Sequence, residues 1–465
     1  MRASKYRFLH ATIFVVVLAA ASPALAETFT VFPSGDEEGN IDHANIQSAM
    51  DSTAAGGTVR LAAGNFYVNK GIVVVGFNGT LRGTLSDDDE EVLTTLEAVV
   101  PNMPDEPFQY SHETEYILDN ESTSSYNDTI MPSMIFFEFP EGKITVRDLI
   151  FIANAPAYVE PRPMWGNPSS STSALTHFIG DFGNNVDPTY LNLTFIAGEG
   201  DYSGSNVAAA IHSMRGPFCP DPCDRVGDSS LHGIGNAVFK RIRATNVADY
   251  VIVPMWYKNG RLTIKDVVSN AGSAVAVYGA IDMKVQIRDV ESSDSWRSLW
   301  LSHIYRGKTK VRSLTSLGGV SPAVFIYNAE NIDIRDSILS GANGFGAWWR
   351  APVYIRRYNR NIMLVDNAFV EMTGVPTAVF ALPGWGTTGV VLKNNYYDPD
   401  NFPGAPDGAY AIVLGSDDSR VVEPSLQPNQ VRDVGVNNTI KLGGLCDDDG
   451  DDDDCDDDDD DDDDD

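Results

Sequence analysis

Apolar and polar residues alternate along most of this chain, in short runs that return at a steady interval. One pattern recurs: apolar, any, apolar, basic, Asp or Asn, apolar. It reads Ile144-Thr145-Val146-Arg147-Asp148-Leu149, then Leu262-Thr263-Ile264-Lys265-Asp266-Val267, then Val285-Gln286-Ile287-Arg288-Asp289-Val290. Shorter copies are Ile332-Asp333-Ile334-Arg335-Asp336 and Val391-Leu392-Lys393-Asn394; Lys310-Val311-Arg312-Ser313-Leu314 is weaker, and Phe239-Lys240-Arg241-Ile242 is degenerate. Period-two alternation predicts strands, because successive strand side chains face opposite ways. The interval decides the architecture. Asp266 to Asp289 is 23 residues, Asp289 to Ser313 is 24 and Ser313 to Asp336 is 23, while Asp336 to Asp366 and Asp366 to Asn394 stretch to 30 and 28. About 23 residues hold roughly three short strands with their turns, and such coils stack in parallel round one apolar column. A propeller blade would need roughly 40 residues. An all-β solenoid is the predicted fold, with at least eight coils between Thr58 and Pro399 and with Val277, Leu301 and Ile326 in one buried column.

The segment before the repeats differs. Ile41, Ile46, Ala49 and Met50 fall on one helical face, which predicts an amphipathic helix from Ile41 to Thr53, ended by Ala54 to Gly57, so that 41–57 caps the first coil. Thr58-Val59-Arg60-Leu61 and Phe66-Tyr67-Val68 then read as strands. This run, NIQSAMDSTAAGGTVRLAAGNFYV, followed by coils of the "apolar-x-Ile-Arg-Asp" kind, resembles the right-handed parallel β-helix of the pectin lyase-like superfamily over roughly Ile41 to Pro399. The resemblance implies a single-stranded right-handed parallel β-helix. It implies no one activity, since this scaffold carries lyases, hydrolases, epimerases, esterases and non-enzymatic adhesins. The Trp-Ile-Asp-His motif of pectate lyases is absent, and their Arg-x-Pro-x-x-Arg has only a near match, one residue too long, from Arg350 through Pro352 to Arg356. The Asn-Thr-Asp and Gly-His-Gly of polygalacturonases are missing, as is the Asp-Phe-Ile-Phe-Gly of pectin methylesterases.

Charge and the two ends complete the outline. Arg2, Lys5 and Arg7 precede the apolar run Ala11 to Ala21, and Ala24-Leu25-Ala26 has the small-x-small form of a cleavage site, so residues 1–26 read as a signal peptide. The apolar run is shorter than the roughly 20 residues that span a bilayer, and the predicted location is secreted, periplasmic or at the cell surface. The chain carries −32 overall. Seventeen aspartates lie between Asp447 and Asp465, and without them and the first 26 residues 48 acids stand against 30 bases, a body near −18. That balance argues against nucleic-acid binding, which needs basic surface against phosphates. Export favours disulfides, read as Cys219–Cys223 and Cys446–Cys455. Domain organisation is then a solenoid over 27–445 with loop insertions at 86–132 and 156–173, and an acidic tail over 446–465. No cofactor is required. The tail offers hard oxygen ligands that could hold Ca²⁺ weakly. A monomer is expected.

Candidate chemistry follows from register. Aligning Val275-Ala276-Val277-Tyr278, Leu299-Trp300-Leu301-Ser302 and Val324-Phe325-Ile326-Tyr327 sends Val275, Val277, Leu299, Leu301, Val324 and Ile326 inward. Trp300 and Phe325 then form one outward column, and Tyr278 and Tyr327 a second, with Trp348, Trp349 and Arg350 in the next coil. Coils about 4.8 Å apart match the scale of a sugar ring, so Trp300, Phe325, Tyr327, Tyr278 and Trp348 are candidate sugar-stacking residues. Packing under loops is the competing role. Asp294, Arg297, His303, Arg306, Arg350 and Arg356 border the stripe, with His212 and Arg215 earlier. β-Elimination on an acidic sugar needs a cation against the carboxylate and a base for the proton. Arg350 or His303 would be the base, Arg356 a partner for the carboxylate, and Asp294 a Ca²⁺ ligand. Hydrolysis would need two carboxylates facing the bond, for which Asp294 and Asp282 are the nearest. The expected partner is an acidic polysaccharide, bound and perhaps cleaved; a non-catalytic adhesive scaffold is the alternative. The basic column Arg147, Lys240, Lys265, Arg288, Arg312, Arg335 and Lys393 reads as structural, with the neighbouring Asp148, Asp266, Asp289 and Asp336 either neutralising it or hydrogen-bonding in the turn as a ladder.

Overall fold

The structure is a computed structural model, and it describes residues 27–99, 133–138, 140, 142–153, 177–198, 209–216, 230, 232–247, 250–270, 272–295, 297–319, 321–341, 351–371, 377–398 and 410–443. The signal-peptide segment, the 156–173 insertion, all four cysteines, Trp348, Trp349, Arg350 and the acidic tail lie outside them.

Strands wind into stacked coils, and every strand-to-strand ladder among the described residues is parallel. The chain is a parallel β-helix. One face is built by the repeated motif: Arg261–Asn270 pairs with Lys284–Ser293, and that strand with Lys308–Leu317. A second, aromatic face runs through ten successive strands from Ile72–Val75 to Val379–Ala381, by way of Ser133–Glu138, His177–Gly183, Ala209–Arg215, Tyr250–Lys258, Ser273–Ile281, Leu299–Tyr305, Val324–Arg335 and Val353–Arg356. Ten exceeds the eight coils expected. Val277, Leu301 and Ile326 are Cα partners in one column and are buried. Branched side chains stacked at one coil spacing leave no gap for water, and each contributes about 1.5–3 kcal/mol by leaving it.

The aspartate of the motif has a backbone cause. Asp148, Asn192, Arg241, Asp266, Asp289, Ser313, Asp336, Asp366 and Asn394 form one column, and every one has φ between 53° and 58°. Left-handed backbone crowds most side chains, whereas Asp and Asn tolerate it best after glycine. Here the coil turns a corner. In Gly142–Ala153 the residues before Asp148 pair with Gly79–Arg82, and those after it pair with Thr94–Ala98. Basic residues beside the corner are held by acids, as expected: Arg147 on Asp148, Lys265 and Arg288 on Asp289, and Arg312 and Arg335 together on Asp333. Burial raises the Asp333 carboxyl, but the two guanidinium hydrogen bonds win and its pKa falls below the usual value.

One expectation is met closely and one changes. The helix is Asn40–Ser52, within one residue of the expected Ile41 to Thr53, and the chain leaves helical geometry at Thr53. Its Ile46 and Met50 enter the common core, while Ile41 is exposed. The insertion at 86–132 gives up its start to the solenoid, since Thr94–Ala98 is a strand paired with Gly64–Val68.

Candidate functional site

The aromatic face carries a second apolar cluster, separate from the solenoid core and on its outer side. It holds Trp256, Tyr278, Trp300, Phe325, Tyr354 and Phe380 among others. Alternation creates it: Val275, Val277, Leu299 and Leu301 fill the core, so Ala276, Tyr278 and Trp300 must face out. The predicted register holds, with Trp300 opposite Phe325 and Ser302 opposite Tyr327. The rings touch in series. Tyr278 meets Trp300 edge-on at 6.0 Å, Trp300 meets Phe325 at 5.9 Å, Phe325 meets Tyr354 at 5.5 Å, and Tyr354 meets Phe380 at 5.5 Å.

Outward does not mean open to solvent. Trp300 and Phe325 are each 3% exposed, and Arg297 lies over both rings at 5.0 and 4.6 Å. Tyr278 is buried too. Only Tyr327 among the described candidate rings is partly accessible; it stacks on Phe325 at 6.2 Å. The next strand on this face is Val353–Arg356, in which Tyr354, six residues beyond Trp348, takes the place opposite Phe325.

A mid-strand corner marks the rim of the face. Trp256, His303, Asn328, Arg357 and Tyr358 have positive φ, as does Gly279. A side chain at Gly279 would strike the Trp256 ring, with its Cβ 2.2 Å from the nearest carbon. Bulky residues in this conformation store strain, and such strain concentrates at functional sites. His303 is buried, shares a 2.7 Å hydrogen bond between Nδ1 and Ser302 Oγ, and lies 5.0 Å from the Tyr278 ring and 5.3 Å from Tyr327.

Beyond His303 the rim opens. The Arg357 guanidinium sits 5.6 Å from the Tyr327 ring and 4.5 Å from that of Trp385, and its Nη1 donates to the Tyr327 hydroxyl at 2.9 Å. Arg356 approaches the same tyrosine at 5.9 Å. Tyr358 is 62% exposed and Trp385 is 38% exposed. Among the described residues neither arginine has a carboxylate partner. Arg357 Nε, which is buried, has no hydrogen-bond partner either. Two cations flanked by accessible rings suit an anion carried on a flat apolar surface.

Other candidates fall elsewhere. Asp294 is an exposed corner residue with φ 51° and takes part in none of these contacts. Asp282 and Arg306 pair with each other at 2.8 Å on another corner. Arg215 points into the solenoid, fully buried, bonded to the Asp181 carboxylate, which also accepts from the Tyr190 hydroxyl. Burial and that carboxylate push the Tyr190 hydroxyl well above the usual range. His212 is on the aromatic face, and burial lowers its pKa to about 4, so its imidazole is neutral at pH 7.

Sequence reasoning missed Arg357, Tyr358 and Trp385. Tyr354 and Phe380 continue the Trp300–Phe325 column, but longer coils displace them from the 23-residue register. The exposed Trp385 lies in Pro383-Gly384-Trp385-Gly386, a turn composition that could have drawn notice.

No family model matches this chain, and no curated protein does. Solved structures similar to it include the Azotobacter vinelandii mannuronan C-5 epimerase AlgE4 A-module, at 12% identity over 87% of this chain and 94% of that one, TM-score 0.37. A double mutant of the periplasmic alginate epimerase AlgG is 10% identical over 83% and 84%, TM-score 0.41. A polygalacturonase from Erwinia carotovora ssp. carotovora is 12% identical over 81% and 93%, TM-score 0.40. At these values the likenesses say nothing of substrate or mechanism, and the strand register above is what establishes the coil architecture.

Proposed function

We propose that the protein is an exported binder of an acidic polysaccharide, gripping it at the rim formed by Tyr327, Arg356, Arg357, Tyr358 and Trp385. One observation carries this reading: two adjacent arginines that have no carboxylate partner among the described residues, set between aromatic rings of which two are exposed, whereas Arg243, Arg306 and Arg312 each lie against an aspartate. Uronate sugars present one carboxylate per ring and a flat apolar face, which match a guanidinium and an indole respectively. The N-terminal charge and apolar pattern supports export, and no helix among the described residues is long and apolar enough to cross a membrane. In this reading the helix Asn40–Ser52 closes the first coil against water.

Processing of the bound polymer is the finer part of the proposal. His303 stands one tyrosine away from the arginine pair and would take the proton in β-elimination, with Arg356 or Arg357 neutralising the uronate carboxylate. Hydrolysis has less support, since Asp282, one of its two candidate carboxylates, is paired with Arg306 on another corner.

Calorimetric titration with oligouronates, against neutral oligosaccharides of equal length, tests the binding claim. Acidic ligands are expected to bind and neutral ones to bind at least tenfold more weakly. Trp385→Ala should lose about tenfold, or 1.4 kcal/mol, with melting unchanged. Equal affinity for both ligand classes would overturn recognition of the carboxylate by the arginines, and binding of neither would leave a scaffold protein. Release of unsaturated product, read by ultraviolet absorbance, decides the elimination step.

A further inference from the structure

The N-terminal part of the aromatic face has a different character from the rim. Three successive coils there place His177, then His212 and Met214, then Met255, all outward and all buried. His212 Nε2 lies 2.9 Å from Met255 Sδ, and the His177 and His212 rings are 4.9 Å apart. Met214 and Met255 are Cα partners on adjacent coils, so their thioethers belong to one row about 4.8 Å apart along the axis. His212 and Met214 are two apart on one strand and share its outer side.

We propose that His212, Met214 and Met255, with His177 adjoining, form a soft-metal site that takes a single Cu(I) ion. Thioether and imidazole donors together select Cu(I) over harder ions. The surroundings agree. Phe136, Phe182, Tyr250 and Val253 belong to the same buried cluster, and an apolar shell favours a singly charged ion that needs no water ligands. Among the described residues no three His, Cys, Asp or Glu groups come together, which removes the donor sets that Zn²⁺ or Ca²⁺ would need. Binding would part His212 Nε2 from Met255 Sδ by some tenths of an ångström to admit the ion, while the coil backbone keeps the row in place. This site is several coils from Arg357 and is independent of the polysaccharide reading.

The test uses the full chain with its four cysteines alkylated, titrated anaerobically with Cu(I) against a chromogenic copper chelator. The wild type is expected to hold one equivalent, with sulfur and nitrogen scatterers in its X-ray absorption spectrum. Met255→Leu, which conserves volume, should weaken retention at least tenfold, and Met214→Leu/Met255→Leu further. Proton–carbon spectra of methyl-labelled methionine should show the ε-methyl signals of Met214 and Met255 moving on titration of the wild type; that readout stands even if a methionine variant fails to fold. Failure of the wild type to retain copper against the chelator overturns the proposal, as does equal retention by the double variant. Trp385→Ala should leave copper retention unchanged.

Discussion

The two faces of this solenoid treat arginine in opposite ways. On the motif face Arg243 lies against Asp266, and Arg312 and Arg335 share Asp333. At the rim of the aromatic face Arg356 and Arg357 meet rings instead, and Trp385 and Tyr358 stand open beside them. The first arrangement recurs at Asp148, Asp266, Asp289 and Asp333, and it neutralises itself. The second occurs where the coils lengthen and the repeat loosens. Exposed ion pairs of the first kind contribute only about 0–1 kcal/mol each, so the repeated basic column is neither a polyanion track nor a main source of stability. Periodicity here reports folding, and departure from it points to binding.

The comparison can be broken most forcefully inside the aromatic face. Trp300→Ala should cost about 3–5 kcal/mol in denaturant unfolding, because the ring is buried among Tyr278, Phe325 and Arg297. A loss below about 1 kcal/mol would mean that the column is a surface and not a packed layer.

A second effect concerns the last coils. Ser337, Asn367 and Asn395 form a buried ladder in which each side-chain oxygen accepts from the backbone N–H of the coil before, and Glu423 terminates it, accepting from the Asn395 backbone N–H at 2.8 Å, its side chain at 2.7 Å and the Tyr397 hydroxyl at 3.1 Å. Burial outweighs these bonds and pushes the Glu423 pKa up to about 7. The folded state therefore binds this proton more tightly than the unfolded chain does. Stability from this group is complete below about pH 4.5 and is lost as pH rises through about 7, by roughly 3 kcal/mol. Glu423→Gln should remove that decline. Buried His43 and His212, whose pKa values are lowered, act oppositely below pH 6.5, so the difference in melting between wild type and variant is the quantity to measure.

Smaller effects sharpen the contrast at the corners and the rim. Asp289→Val should cost about 1–2 kcal/mol, since a β-branched residue resists φ 55°, whereas Asp289→Asn should stay within about 0.5 kcal/mol. If both variants lose equally, the Asp289 charge matters more than its backbone. Trp385→Ala should change unfolding free energy by less than about 0.5 kcal/mol, placing its effect in binding alone.

Sequence by itself determined the coil. Alternation assigned inward and outward sides for Val275 through Tyr327, and a nearly constant interval, 23 residues from Lys265 to Arg288 and 25 from Trp300 to Phe325, set the register that pairs them. Both are local properties, since strand side chains alternate whatever surrounds them and equal coils must stack in phase. Even the recurrent aspartate was legible as a turn residue, although only backbone geometry explains why its column also admits Arg241 and Ser313. Tertiary structure decided burial and convergence. Nothing in the pattern tells an outward ring that is covered, such as Trp300, from one that is open, such as Trp385, because the covering atoms come from elsewhere in the chain. Nor could spacing bring Arg357 against Tyr327 and Trp385, or His212 against Met255, once coils of unequal length had broken the register; those contacts are made across coils, where sequence distance no longer measures separation.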